Sequence, residues 1–149
     1  MAFYHVSGPA LTESFQKVTS TAIAVGSALG FHAIGANAGR VAQARDISLR
    51  IAGIAIKKIA STDSDYADAT NIPLIVPSED DVFSASVSGT ATQANVGKQY
   101  DLTQTDAGTA QAVNLSGTSR KVVTVVGFVS SSEVLVKFNG NYAFANKDN

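Results

Sequence analysis

The chain has 149 residues with 11 basic against 12 acidic side chains, a formal net charge of −1, so no electrostatic footprint draws it to nucleic acid or to an anionic membrane. It contains no cysteine, which removes disulfides, thiolate zinc sites and cysteine nucleophiles together. Hydrophobic residues make up 45% and charged residues only 15%; a chain of this length buries roughly 68–70% of its unfolded surface and needs no covalent staple.

Residues 1–16 read as an arm. Gly8-Pro9 interrupts any regular element, and Phe3, Tyr4, Leu11 and Phe15 are apolar anchors without a clear period. Such an arm packs either on the chain's own body or on a partner. The stretch from Met1 to Pro9 has no basic segment leading into an apolar core, so no export signal is expected, and synthesis in the cytoplasm is. No apolar run approaches the length of a membrane span.

From Val18 onward short apolar bursts alternate with Gly, Ser and Asn: residues 21–25, 27–34 and 39–44, with 35–39 as a loose turn. Residues 49–59 are ambiguous, because Ile51, Ile54 and Ile59 would share a helical face. Ile54 and Ile56 alternating around small residues, with Gly53 inside, favour a strand. Residues 71–77 form a short strand fenced by Pro73 and Pro77, which predicts an edge position. Glu79-Asp80-Asp81 reads as a solvated turn or a charge guarding a strand edge, and it opens the second half.

In that half Phe83, Ala85 and Val87 alternate with Ser84, Ser86 and Ser88, the period of a half-buried strand. Residues 96–102 and 110–115 follow. Residues 122–129 and 133–138, separated by Ser130 to Ser132, form a hairpin, and Asn139-Gly140 suits a second, type I′ turn returning through Tyr142 to Phe144. The C-terminal third thus reads as an antiparallel meander.

The two halves resemble one another. Residues 21–31 align with 92–102, placing Val25-Gly26 on Val96-Gly97; residues 39–44 align with 110–115, 49–56 with 122–129, and 73–76 with 134–136. The expected fold is all-β: two small antiparallel barrel-like or sandwich-like units, residues 17–78 and 79–149, preceded by the arm at 1–16.

Chemistry is sparse. His5 and His32 stand outside any recognisable catalytic arrangement, and no zincin, nucleophile-elbow or phosphate-loop motif occurs. Asp63, Asp65 and Asp68 fail the spacing of a calcium loop and read as a solvated loop. The basic pairs Lys57-Lys58 and Arg120-Lys121 are not interleaved with aromatics, and fit salt bridges across a subunit contact better than a nucleic-acid platform. Asn114 heads a glycosylation sequon that carries no weight without export. No catalytic residue, cofactor or metal is expected, and the protein is not expected to be an enzyme.

Several stretches together resemble a known family: Thr21-Ala-Ile-Ala-Val-Gly26, Gly53-Ile-Ala-Ile56, Ile72-Pro-Leu-Ile-Val-Pro77, Asp81-Val-Phe-Ser-Ala-Ser-Val-Ser-Gly-Thr-Ala-Thr92, Val96-Gly-Lys-Gln-Tyr-Asp-Leu102 and Val134-Leu-Val-Lys-Phe-Asn139. Across most of residues 17–140 the pattern is similar to capsid decoration, or cement, proteins of tailed bacteriophages. The resemblance implies a β-rich homotrimer on the outer surface of an icosahedral virion, clamping neighbouring subunits of the major capsid protein. It also implies that the arm contacts the capsid; no motif marks the contacts, and the candidates in the arm are Phe3, Tyr4, His5, Leu11 and Phe15. Other readings of the same pattern are a head-fibre base or head–tail joining protein, or a carbohydrate-binding or adhesin β-module.

Overall fold

The computed structural model describes residues 3–32, 35–44, 51–103 and 111–139, and over them the chain is all-β. The strands are β1 (Phe3–Ser7), β2 (Thr12–Gln16), β3 (Ala28–Phe31), β4 (Val41–Gln43), β5 (Ile51–Ala55), β6 (Asn71–Ile75), β7 (Val82–Ser88), β8 (Gln99–Leu102), β9 (Val113–Asn114), β10 (Val123–Ser130) and β11 (Glu133–Phe138). Single 3-10 turns lie at Gly35–Asn37 and Gln93–Asn95.

Strands β7, β11, β10, β8 and β9 form a closed five-stranded barrel. The alternation seen at Phe83 and Ala85 drives it: Phe83 pairs with Val136 and Ala85 with Val134, all four side chains buried, while Ser84 and Ser86 face out opposite Leu135 and Glu133. Closure comes where Val87 and Ser88 run parallel to Val113 and Asn114. Ahead of that contact, the same edge of β7 carries β1.

A second sheet has the order β2-β6-β5-β3-β4, antiparallel at every step. Its outer strands meet at a parallel bridge between Lys17 and Val41, where the Val18 amide donates to the Val41 carbonyl at 2.9 Å. Ile23, Leu29, Val41, Ile59, Ile72 and Leu74 fill its core.

Strand β5 is buried along its whole length. Ala52 and Ala55 face the second sheet's core, whereas Ile51 and Ile54 join Phe83, Tyr100 and Val125 in the barrel's core. One side chain ties the two bodies by hydrogen bonds. Gln111 is buried, its Oε1 accepts from the Ala28 amide at 2.8 Å, and its Nε2 donates to the Ala28 and Ala44 carbonyls at 3.3 Å each. Truncation would leave a buried amide donor without an acceptor, so Gln111→Ala is expected to cost about 2 kcal/mol, read as a fall in the urea midpoint at constant slope.

Several expectations are revised. The arm divides into two strands on different sheets: β1 pairs with β7, and β2 pairs with β6 along its full length. The strand at residues 71–77 lies between β2 and β5 and is not an edge. Pro73 is tolerated there because its carbonyl accepts from the Ile56 amide, just past the end of β5, and no neighbouring strand calls for the N–H it lacks. The C-terminal hairpin exists as β10 and β11, but β10 also pairs with β8 and β11 with β7, so it closes a barrel and is no separate meander. Residues 21–25 contribute one isolated bridge, Ile23 to Ile59, in place of a strand. The turn at Asn139-Gly140 and the return through Tyr142 to Phe144 fall outside the described residues.

Candidate interaction surface

The surface is built on β1 and on what holds it. Phe3 points inward and is 1% exposed; its ring lies 5.2 Å from that of Phe138, which in turn stands edge-on to Phe83 at 5.5 Å. The Phe3 amide turns away from β7 and donates to the Gly26 carbonyl at 2.9 Å, so β1 is held by both bodies.

After β1 the chain is fastened by Asp81. Its side chain is fully buried. Oδ1 accepts from His5 Nε2 at 2.8 Å and from the Ala10 amide at 3.0 Å; Oδ2 accepts from the Ser78 amide at 2.9 Å and the Ser78 hydroxyl at 3.0 Å. Burial disfavours the carboxylate, and the hydrogen bonds from Ser78, His5 and Ala10 outweigh that, holding its pKa below the ordinary value. Asp81 therefore joins β1, the turn at Gly8 and the start of β7, and it is not part of a solvated turn.

Because Phe3 faces in, Tyr4 faces out, and it is 59% exposed. The strand register sets Tyr4 beside Ser84, Ser84 beside Leu135, and Leu135 beside Gly127, a row across four strands on the outer face of the barrel. Tyr4, Val6, Ser84, Ser86, Glu133 and Leu135 line an open groove there, in which the Ser84 hydroxyl donates to Glu133 Oε1. Leu11 is 63% exposed just before β2. On β10, breaks in the β10–β11 register fall at Val126 and Val129, and these two side chains and Phe128 are exposed.

The five proposed contact residues thus separate. Tyr4 and Leu11 are surface groups. Phe3 belongs to the core, His5 is committed to Asp81, and Phe15 is half-buried with its ring edge-on to Phe31 at 5.3 Å.

Two carboxylates of the acidic loop have local partners. Asp63 Oδ2 accepts from the Ala60 amide at 2.7 Å, and Asp65 lies 3.7 Å from Lys57. Among the described residues no group of three or more His, Cys, Asp or Glu side chains gathers to hold a metal ion. The two basic pairs are not equivalent: Lys57-Lys58 follows β5, whereas Arg120-Lys121 precedes β10 and donates both backbone amides to Asp101 Oδ1 at 2.7 Å. His32 follows β3, and its backbone bonds to Gly39 and Arg40.

Lys17 was not singled out by any motif, yet it is one of the largest fully buried side chains. Its Nζ donates to the Tyr66 carbonyl at 2.6 Å and the Val18 carbonyl at 3.1 Å, and lies 5.6 Å from the Tyr66 ring centre. Burial pushes its pKa down, while Asp65 and Asp68 pull it back up. It pins the acidic loop over the seam where the second sheet's outer strands meet. Comparison of the chain with protein-family models, with curated proteins and with solved structures finds no match.

Proposed function

We propose that the protein is a virion structural protein that works by binding. In this reading it decorates the outer surface of an icosahedral phage capsid and, as a homotrimer, clamps neighbouring subunits of the major capsid protein. The resemblance in sequence supplies the family. The observation that carries the binding role is the display of Tyr4, Val6 and Leu11, exposed apolar side chains on backbone anchored by the Phe3 cluster and the Asp81 hydrogen bonds. Anchors held this way lose little entropy on docking. A clamp that binds only the assembled shell stabilises it by mass action at every site it occupies.

The same reading takes the two sheets as copies of one unit. Strands β2 to β6 pair in the order 1-5-4-2-3 with a parallel contact between first and third, and β7 to β11 do the same. Gly26 and Gly97 each stand two residues before the second strand, with φ of 83° and 88°. Their amides donate to Ala55 and Val125, at matching places on the fourth strand, both at 2.8 Å.

The test is co-sedimentation with expanded phage heads and with precursor shells, alongside a light-scattering mass. Binding to expanded heads and a mass near three times 15.3 kDa are expected. The double variant Tyr4→Ser, Leu11→Ser is expected to weaken shell binding at least about 30-fold, as for loss of a central apolar anchor. Failure to bind any shell removes the proposal.

A further inference from the structure

Strand β2 ends its sheet, and Thr12, Glu13 and Ser14 are exposed. In an antiparallel pair the main-chain groups of successive residues point alternately toward and away from the neighbour. The Val76 amide donates to the Leu11 carbonyl at 2.8 Å, so Leu11, Glu13 and Phe15 turn their main-chain groups to β6. Thr12 and Ser14 turn theirs to the open side. Pro73 opposite Ser14 agrees with this parity, having no N–H to offer.

The duplicated plan shows what such an edge takes. Setting the bridge Lys17–Val41 on the pair Val87–Val113 places Thr12 on Val82 and Ser14 on Ser84. In the barrel those two positions are covered: β1 lies antiparallel along them, with Ser7 beside Val82 and Tyr4 beside Ser84. Among the described residues no strand covers Thr12 and Ser14.

Between them stands Glu13, exposed and without an ion pair among the described residues. If a second copy paired its β2 here about Thr12 and Ser14, Glu13 would face Glu13, a like-charge pair in direct opposition. We infer that β2 is a strand-addition edge for an extended segment of another protein, bound antiparallel through the main-chain groups of Thr12 and Ser14, with a Lys or Arg opposite Glu13. The inference rests on the duplicated-unit part of the proposed function, and not on the capsid.

The probe is a short blocked peptide of alternating Thr and Val with a central Lys, titrated into ¹⁵N-labelled full-length protein. Saturable amide shifts are expected at Thr12, Glu13 and Ser14. A peptide with Glu for the central Lys should bind roughly threefold or more weakly, and the variant Glu13→Lys should reverse that preference. N-methylation of the peptide amides that face β2 should abolish binding. Shifts absent to the solubility limit, or unaffected by N-methylation, overturn the inference. A Glu13→Gln variant that dimerises through β2 also overturns it, since Glu13 would then guard against self-pairing and recruit nothing. Because no shell is present, this result and the co-sedimentation result fail separately.

Discussion

Gly8→Ala is expected to unfasten β1 and to lower the stability of the protein by about 3 kcal/mol. Gly8 has φ of +110°, a backbone region that L side chains rarely enter, and a methyl group there would lie 2.5 Å from Asp81 Oδ1, 2.6 Å from the Asp80 carbonyl oxygen and 2.7 Å from Asp81 Cα. Two of those three contacts are main chain, so no side-chain rotation relieves them. The displaced group is the one that collects His5, Ala10 and Ser78, and beyond it lies the Phe3 ring against Phe138. The expected readouts are a lower urea midpoint and faster proteolysis within the first turn of the chain after β1. A variant within about 0.5 kcal/mol of the parent would show that the contact yields at no cost.

The same hydrogen bonds give a pH dependence whose sign follows from Asp81. Its pKa is depressed in the folded protein, so the unfolded chain takes up the proton first as pH falls. The stabilisation is fully present above the ordinary carboxylate value of 3.8 and is lost below it, as pH drops through the lowered folded value. Among the described residues, His5 is the titratable group in direct contact with it. Asp81→Asn should therefore be less stable near neutral pH and should lose the part of the acid slope that Asp81 supplies.

Much of the strand content was legible because a sheet with one wet face writes its period into the chain. Phe83, Ala85 and Val87 against the three serines between and after them predict β7 almost residue for residue, and the β10–β11 hairpin is as plain. The stretch 49–59 was ambiguous for a physical reason: the register of β5 against β3 shifts by one residue, so Ile51 and Ile54, three apart like neighbours on a helix, reach the same core. The alignment of residues 49–56 with 122–129 sets Gly53 on Val126. Strand pairing sets Gly53 opposite Leu29 and Val123 opposite Tyr100, so in the proposed duplication Gly53 falls on Val123 instead.

The surface was legible only in part. Tyr4 and Leu11 could be named as apolar residues without a period, but Phe3 could be assigned to the core only once β1 was paired with β7. The buried roles of Asp81, Lys17 and Gln111 were hidden for a shared reason. Each is polar and buried, and each takes a main-chain partner distant in sequence, Ala10 for Asp81, Tyr66 for Lys17 and Ala28 for Gln111, which no local pattern records.

Gly53→Ala separates close packing from backbone preference most sharply. Alanine has the better intrinsic propensity, and an interior strand glycine ordinarily weakens a sheet, so on local grounds the change should be neutral or favourable. The environment of Gly53 argues the opposite. An added Cβ would lie 2.5 Å from the Ile75 carbonyl oxygen, 2.9 Å from Leu74 Cβ and 3.2 Å from the Ile75 carbonyl carbon. These atoms belong to β6, which is hydrogen-bonded to β5 on one side and β2 on the other, so relief requires moving a central strand. The expected cost is on the order of 3 kcal/mol. Gly127→Ala is the control: the three atoms nearest its new Cβ all belong to the Leu135 side chain, the closest being Cδ1 at 3.0 Å, on the outer face of the barrel, where the end of that side chain can swing away. A loss there below about 1 kcal/mol, beside a large loss at Gly53, would assign the effect to the main-chain contact. Equal losses would assign it to β-sheet glycines in general. A displaced β6 would carry β2 with it, so Gly53→Ala should also disturb the amide resonances of Thr12 and Ser14, which Gly127→Ala should leave in place.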